Sequence, residues 1–273
     1  MIKMANFIEL VKTRRSVRTF DGKGVDPKVL EELKAFAGDI TNPYGIKVRF
    51  VFLDAEKNGL SSPVLSGEKC YVSAVVSKGE HMEEAYGYSF QKLLMKAHEL
   101  GLGTVWIGGT MPRDKFEKAS DLQEGEVMPC VSPLGITARI SIKENLMRKG
   151  VKADWRMKFE DLFCIGNFGK PMDERYAKEN GLFEDLEAVR FAPSAVNKQP
   201  WRIVIDEHSA MFFEKHDKGF ITPDYDLQRI DMGIAMYNFE TQMLSEGRKP
   251  ELTPDAPDIT VPEGMDYIAT YTF

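Results

Sequence analysis

Two stretches of basic and small polar side chains carry most of the chemistry legible in this sequence. The first, TRRSVRTF at 13–20, places Arg14, Ser16 and Arg18 at alternate positions. An extended backbone turns alternate side chains to one side. Two forked guanidiniums and a hydroxyl on one face suit a phosphate dianion, because Arg offers paired donors and Ser a short one. The same residues also fit a solvated basic patch. Arg156 and Lys158, again two apart in WRMKFEDLF, could bring further positive charge to that anion or form an ordinary exposed strand edge. The second stretch, APSAVNKQPW at 192–201, lies far along the chain. Its Ser194 and Asn197 could present donors and acceptors to the rim of a polar heteroaromatic ring, with Pro193 and Pro200 stiffening the backbone. Read structurally, it is a polar loop in which Pro193 ends a helix and Pro200 starts a strand.

Other candidate motifs are weaker. GLGTVWIGG at 101–109 has the glycines of a nucleotide loop in the wrong order, since a dinucleotide fingerprint follows a strand and opens a helix. Gly101 and Gly103 read as a helix stop and a tight turn, whereas Gly108 and Gly109 could let backbone N–H groups approach a ligand closely. His81, His98, His208 and His216 show no ligand or triad spacing, so no metal site and no catalytic side chain is expected. No pair of carboxylates stands out as acid and base. Trp106 and Trp201 read as core or pocket walls. Cys70, Cys130 and Cys164 are odd in number, widely spaced and read as buried thiols.

The elements that must position these residues emerge from the apolar pattern. Asn6 with Glu9 resembles a capping box opening a short helix to Thr13. Asp26–Pro27 is a strong start for a second helix reaching about Ala37. IKVRFVFL at 46–53 and CYVSAVVS at 70–77 read as strands, and TVWIGG as a short one. The longest helical pattern runs from His81 to Leu100, with Gly101 as its stop. The second half repeats this grammar. LEELKAF at 30–36 aligns with FEDLEAV at 183–189, and without a gap VRFVF at 48–52 falls on WRIVI at 201–205. Gly87 and Gly101 mark one long helix, Gly233 and Gly247 another. These matches point to an internal duplication, with copies at 1–165 and 166–273, arranged as a pseudo-symmetric pair.

Charge and hydropathy limit the partners. The net charge of −6 argues against nucleic acid or an anionic membrane as the main partner. No apolar run approaches the roughly 18 residues of a membrane span. The start, MIKMANFIEL, lacks the apolar core of a secretory signal, so a cytoplasmic protein is expected.

RRSVRTF, APSAVNKQPW, the helix running into GLGTVWIGG, and RMKFEDLF, in that combination, resemble the nitroreductase superfamily of flavin enzymes, and specifically its internally duplicated branch. The resemblance covers most of residues 7–250. It implies an α+β, nitroreductase-like fold, a pseudo-dimer with mixed and antiparallel sheets flanked by helices. It implies FMN, with Arg14, Ser16, Arg18, Arg156 and Lys158 at the phosphate, the Gly108 and Gly109 backbone near the ring N5, and Pro193, Ser194 and Asn197 facing the ring from the second copy. The chemistry implied is reduction of a nitroaromatic, quinone or similar small acceptor by NAD(P)H, in a ping-pong transfer of hydride or electrons. Dehalogenating or flavin-fragmenting chemistry on the same fold, or a non-catalytic flavin-binding protein, are the alternatives. The second copy lacks the arginine-serine segment and the first lacks the proline-serine loop, where Tyr44 stands opposite Asn197. One flavin per chain and a monomeric functional unit follow, a further weak dimer remaining compatible.

Overall fold

The computed structural model describes residues 7–253 and 258–273. The chain forms two compact units, one of Thr13–Ala153 and the other of the segment up to Lys12 together with Asp154–Phe273. The opening helix α1 (Phe7–Thr13) buries Phe7, Ile8 and Val11. Its expected cap, Asn6, lies outside the described residues.

In the unit Thr13–Ala153, α2 (Pro27–Gly38) begins where the Asp26 carboxylate accepts the Lys28 N–H and Pro27 fills the first turn. Then come β1 (Val48–Asp54), β2 (Cys70–Ser77), α3 (Met82–Glu99), α4 (Arg113–Ala119), β3 (Glu126–Val127), β4 (Val131–Leu134) and α5 (Ile142–Gly150). β2 is central in an antiparallel sheet, paired along its length with β1 and on its other side with β3 and β4. Its side chains alternate between two apolar layers, which is why CYVSAVV is buried throughout. On one face Phe50 of β1 meets Phe90 of α3 with ring centroids 6.1 Å apart. On the other, Tyr71 and Val75 join Val17, Phe20, Val105, Phe116 and Val131. α3 ends at Glu99, and Gly101 follows at φ +81°, the left-handed stop expected there.

TVWIGG forms no strand of its own. It is held by single bridges, Ser16 to Thr104, Gly103 to Gly135 and Ile107 to Val131. Nor is Gly103 a tight turn: a Cβ there would lie 2.9 Å from Val17 Cγ1 and 2.7 Å from Thr137 Oγ1. Its missing side chain lets the arginine-bearing segment approach.

The other unit contains α6 (Phe159–Leu162), β5 (Phe163–Ile165), α7 (Glu174–Glu179), α8 (Phe183–Arg190), β6 (Trp201–Asp206), β7 (Ser209–Lys215), α9 (Leu227–Ser245), β8 (Glu251–Thr253) and β9 (Met265–Thr272). Its mixed sheet runs β5-β6-β7-β9-β8, with β5 parallel to β6 and the other pairs antiparallel. One face packs Phe212 and Tyr271 against Phe239 of α9. The other packs Val204, Met211 and Phe213 with Phe168 and Tyr267. α9 starts where Asp226 accepts the Gln228 and Arg229 N–H groups. Both units thus carry a helix, an antiparallel strand pair and a long helix in that order. No described helix is long and apolar enough to cross a membrane. The three cysteines are free; Cys70 and Cys130 are buried and Cys164 is half-buried, so burial of the third is incomplete.

Candidate functional site

Residues 14–20 are extended and stitched down by backbone bonds. The Val17 N–H donates to the Thr104 carbonyl at 2.9 Å, Ser66 N–H to Arg18 at 3.0 Å, and Ala138 N–H to Thr19 at 3.0 Å. Val17 and Phe20 enter the core, which leaves the basic side chains half-buried along the surface. Arg14 is near His98 of α3, whose pKa is lowered first by burial and then by that charge. Arg15 donates to Oε1 of Glu144 at 2.8 Å. Glu144 itself is 1% exposed.

Arg18 is the unusual member. Its Nε and Nη1 are buried and have no hydrogen-bond partner among the described residues. Burial lowers its pKa, Glu144 raises it and Arg148 lowers it again. A desolvated guanidinium with two idle donors is costly unless an anion meets it. Glu144 pairs with Arg15 and its charge acts on Arg18, on which Arg148 also acts, so the surroundings of Arg18 favour negative charge.

This arrangement is built by α5. Ser141 caps it by accepting the Glu144 N–H at 3.1 Å and takes a bond from the Thr19 hydroxyl at 3.0 Å. Glu144 and Arg148 are one turn apart on that helix. The S-x-x-E spacing of SIKE at 141–144 is a capping signature, and it could have marked this helix start. In the same unit the Gly108 carbonyl accepts from Arg113 Nη2 at 2.8 Å. Gly109 is exposed, with nothing within 4 Å of the place a Cβ would occupy. The turn is braced from behind and open in front.

Arg156 and Lys158 belong to the unit that holds Pro193–Asn197, not to the unit of Arg14–Arg18. The Arg156 guanidinium lies over the Phe191 ring at 5.3 Å, and its Nη1 donates to the Trp155 carbonyl at 2.8 Å. Lys158 is exposed at the start of α6. The structure ties this segment to the proline-serine loop. Asn197 Nδ2 donates to the Trp155 carbonyl at 2.9 Å, and Gln199 Oε1 accepts the Met157 N–H at 3.0 Å.

The loop is strained. Val196, Asn197 and Gln199 have φ of 44°, 61° and 53°. Left-handed backbone is unfavourable for a β-branched residue, and each such position costs about 1–3 kcal/mol. Local bonds hold it: Ser194 Oγ accepts the Gln199 N–H at 2.9 Å, and Ala195 N–H donates to both oxygens of Asp231, at 3.1 and 3.0 Å. Asp231 is buried on α9, and its pKa is raised well above the usual range by burial first, then by Glu214 and Asp226. Burial also lifts Glu214 to about 7. Sequence reasoning missed the carboxylates Glu144 and Asp231, because nothing in a local pattern says which carboxylate is buried, and with Glu144 it missed Arg148, one turn further along the same helix.

The family model described as "Putative TM nitroreductase" matches residues 6–243. A structure from Thermotoga maritima described as a putative nitroreductase is 16% identical and superposes with a TM-score of 0.63, covering 98% of this chain and 92% of that one. An FMN-dependent nitroreductase from Clostridium difficile is 17% identical, with a TM-score of 0.43, covering 49% of this chain and 89% of that one. No curated protein matches the sequence. The Thermotoga likeness defines an α+β protein of nitroreductase fold. The chain belongs to the family described as "Putative TM nitroreductase".

The geometry separates two arginines by experiment. Arg15→Ala should cost about 1–3 kcal/mol in urea unfolding, because it strands a buried carboxylate. Arg18→Met should be neutral or stabilising without added anion, because its Nε and Nη1 give up no bond; equal losses for the two would contradict this. Asp231 gives a pH signature. A folded pKa above the unfolded value of about 3.9 keeps the proton on the native state, so this group's stabilisation is lost as pH rises above that value. Asp231→Asn keeps an acceptor for Ala195, and its stability relative to the parent should rise between pH 5 and 8. A constant difference would show that Asp231 is ionised in the fold.

Proposed function

We propose that the chain is an FMN-dependent oxidoreductase that uses NAD(P)H to reduce a nitroaromatic, quinone or similar small acceptor in a ping-pong cycle. The observation that carries the reading is Arg18, a desolvated guanidinium with two buried donors left idle among the described residues. That is the condition of a residue awaiting a phosphate, and it occurs on the segment through which the sequence resembles flavin enzymes.

The residues present fit the cofactor's parts. Arg14, Ser16 and Arg18 would hold the phosphate, with Arg156 and Lys158 adding positive charge. The Gly108–Gly109 backbone, open at Gly109, would donate near the ring N5. Pro193, Ser194 and Asn197 would face the ring. Asn197 Nδ2 donates to the Trp155 carbonyl, which fixes the side-chain amide in place, and Ser194 accepts from the Gln199 N–H. When bound, FMN supplies the hydride and electron transfer that side chains cannot. The protein's part is positional. Arg18 anchors the phosphate, and the strained loop holds Ser194 and Asn197 at fixed places without needing to rearrange.

The duplication is part of the proposal, with copies at 1–165 and 166–273. Its support is the shared order of α2, β1, β2, α3 and α8, β6, β7, α9, in which LEELKAF and FEDLEAV fall on α2 and α8 and the aligned strands on β1 and β6. The arginine segment and the proline-serine loop each occur once, so one flavin serves one chain and the functional unit is a monomer. A cytoplasmic location goes with this reading.

Fluorescence titration should therefore find one FMN per chain, bleached by NADH or NADPH without oxygen. Each charge-assisted contact is worth about 1.5–3 kcal/mol, so Arg14→Ala with Arg18→Ala should weaken binding about a hundredfold or more. Two flavins per chain, or unchanged affinity in the double variant, would overturn the assignment.

A further inference from the structure

At the end of β7 a second group of polar side chains stands apart from the residues assigned to flavin. Glu214 is 0% exposed. Its Oε2 takes the Arg229 Nε–H at 3.1 Å. Its Oε1 is buried and makes no hydrogen bond among the described residues. Yet Oε1 is only 3.1 Å from Nδ1 of His216.

The ring's other nitrogen explains that juxtaposition. His216 Nε2 lies 2.9 Å from Asp266 Oδ2. An ionised carboxylate only accepts, so a ring N–H belongs on Nε2, and in the neutral ring Nδ1 then presents a lone pair. In that state two electron-rich atoms face each other at 3.1 Å, and a cation, either a proton or a metal ion, must lie between them. Asp226 offers a third ligand atom, and the three ligand atoms of Glu214, His216 and Asp226 lie within 4.8 Å of one another. Bonds of about 2.0–2.2 Å to one metal ion need ligand atoms spaced at roughly 3–3.5 Å, so the Glu214–His216 separation already fits.

Charge and support fit as well. The Arg229 guanidinium pairs with Glu214 and Asp266 and not with Asp226, whose Oδ1 takes the Arg229 backbone N–H; three ionised carboxylates against that one guanidinium leave a charge that a dication would bring to neutrality. Asp266 pairs with Glu214 across β7 and β9, so the sheet register itself sets the carboxylate behind the histidine. A carboxylate holding the distal N–H of a ligating histidine is the usual outer support of a metal site. Asp226 is fixed by the helix it caps, its Oδ1 accepting the Gln228 N–H at 2.8 Å.

We propose that Glu214, His216 and Asp226 bind one divalent transition-metal ion, of which zinc best suits one imidazole and two carboxylates, with Asp266 as the outer carboxylate. The site clamps the end of β7 to the start of α9. Through Asp217, which accepts from both Lys198 and Gln228, the clamp extends to the strained loop. It does not depend on the flavin assignment.

The test is calorimetric titration of zinc into the full-length protein after chelator treatment, with circular dichroism confirming the fold of each variant. One zinc per chain is expected, weakened at least tenfold by His216→Ala and by Asp226→Asn. Asp266→Asn should weaken it about 10–100-fold. X-ray absorption on the zinc-loaded parent, which needs no variant, should show one imidazole among oxygen ligands. No saturable binding, binding undiminished by His216→Ala or by Asp226→Asn, or an all-oxygen shell would each overturn the proposal and leave a proton as the only cation between Glu214 and His216.

Discussion

The site in the unit Thr13–Ala153 rests on the cost of burying a guanidinium without a partner. Everything around Arg18 controls that cost. The backbone of 14–20 is fixed by bonds to Ser66, Thr104 and Ala138, which sets where the Arg18 side chain leaves the main chain. Gly103 lacks a Cβ where Val17 must pass. Glu144 gives Oε1 to Arg15, its Oε2 has no hydrogen-bond partner among the described residues, and its charge only partly offsets Arg18, while Arg148 adds to the excess of positive charge. A chain selected for stability alone would pair Arg18 or replace it. Its two unmatched donors are what the proposed anion would meet.

The other unit shows the same economy in backbone conformation. Val196, Asn197 and Gln199 occupy the left-handed region, which is unfavourable unless the surroundings hold it. Here they do: Asp231 grips Ala195, Ser194 grips Gln199, and Gln199 and Asn197 grip residues 155–157. The buried carboxylates of α9 and β7 are the foundation of the loop, and their raised pKa values are the electrostatic consequence of placing acids where little water reaches.

The regular elements were legible where local chemistry decides them. Asp26–Pro27 opens α2, CYVSAVVS is β2 residue for residue, and the expected helix at 81–100 is α3 within one residue at each end. TVWIGG was not, because its β-propensity is spent on single bridges to distant segments. The role of Gly103 could not be read either, since the crowding comes from Val17 and Thr137. Arg14, Ser16, Arg18 and Asn197 can be singled out by type and spacing as candidates, whereas Glu144 stands 129 positions from the arginine it pairs with. His216 looked idle because its partners come from three elements. Side-chain type is written in the sequence, but which donors remain unspent is decided by tertiary neighbours.

The central claim is that Arg18 and its neighbours exist to hold a phosphate, and comparing FMN with riboflavin tests it most directly. The two ligands share the ring and differ in the phosphate, so their affinity ratio measured by calorimetry isolates the contribution of the basic segment. The proposed assignment predicts FMN tighter by about a hundredfold or more, with the preference collapsing at high salt and on Arg18→Met. Equal affinities for FMN and riboflavin would contradict the account.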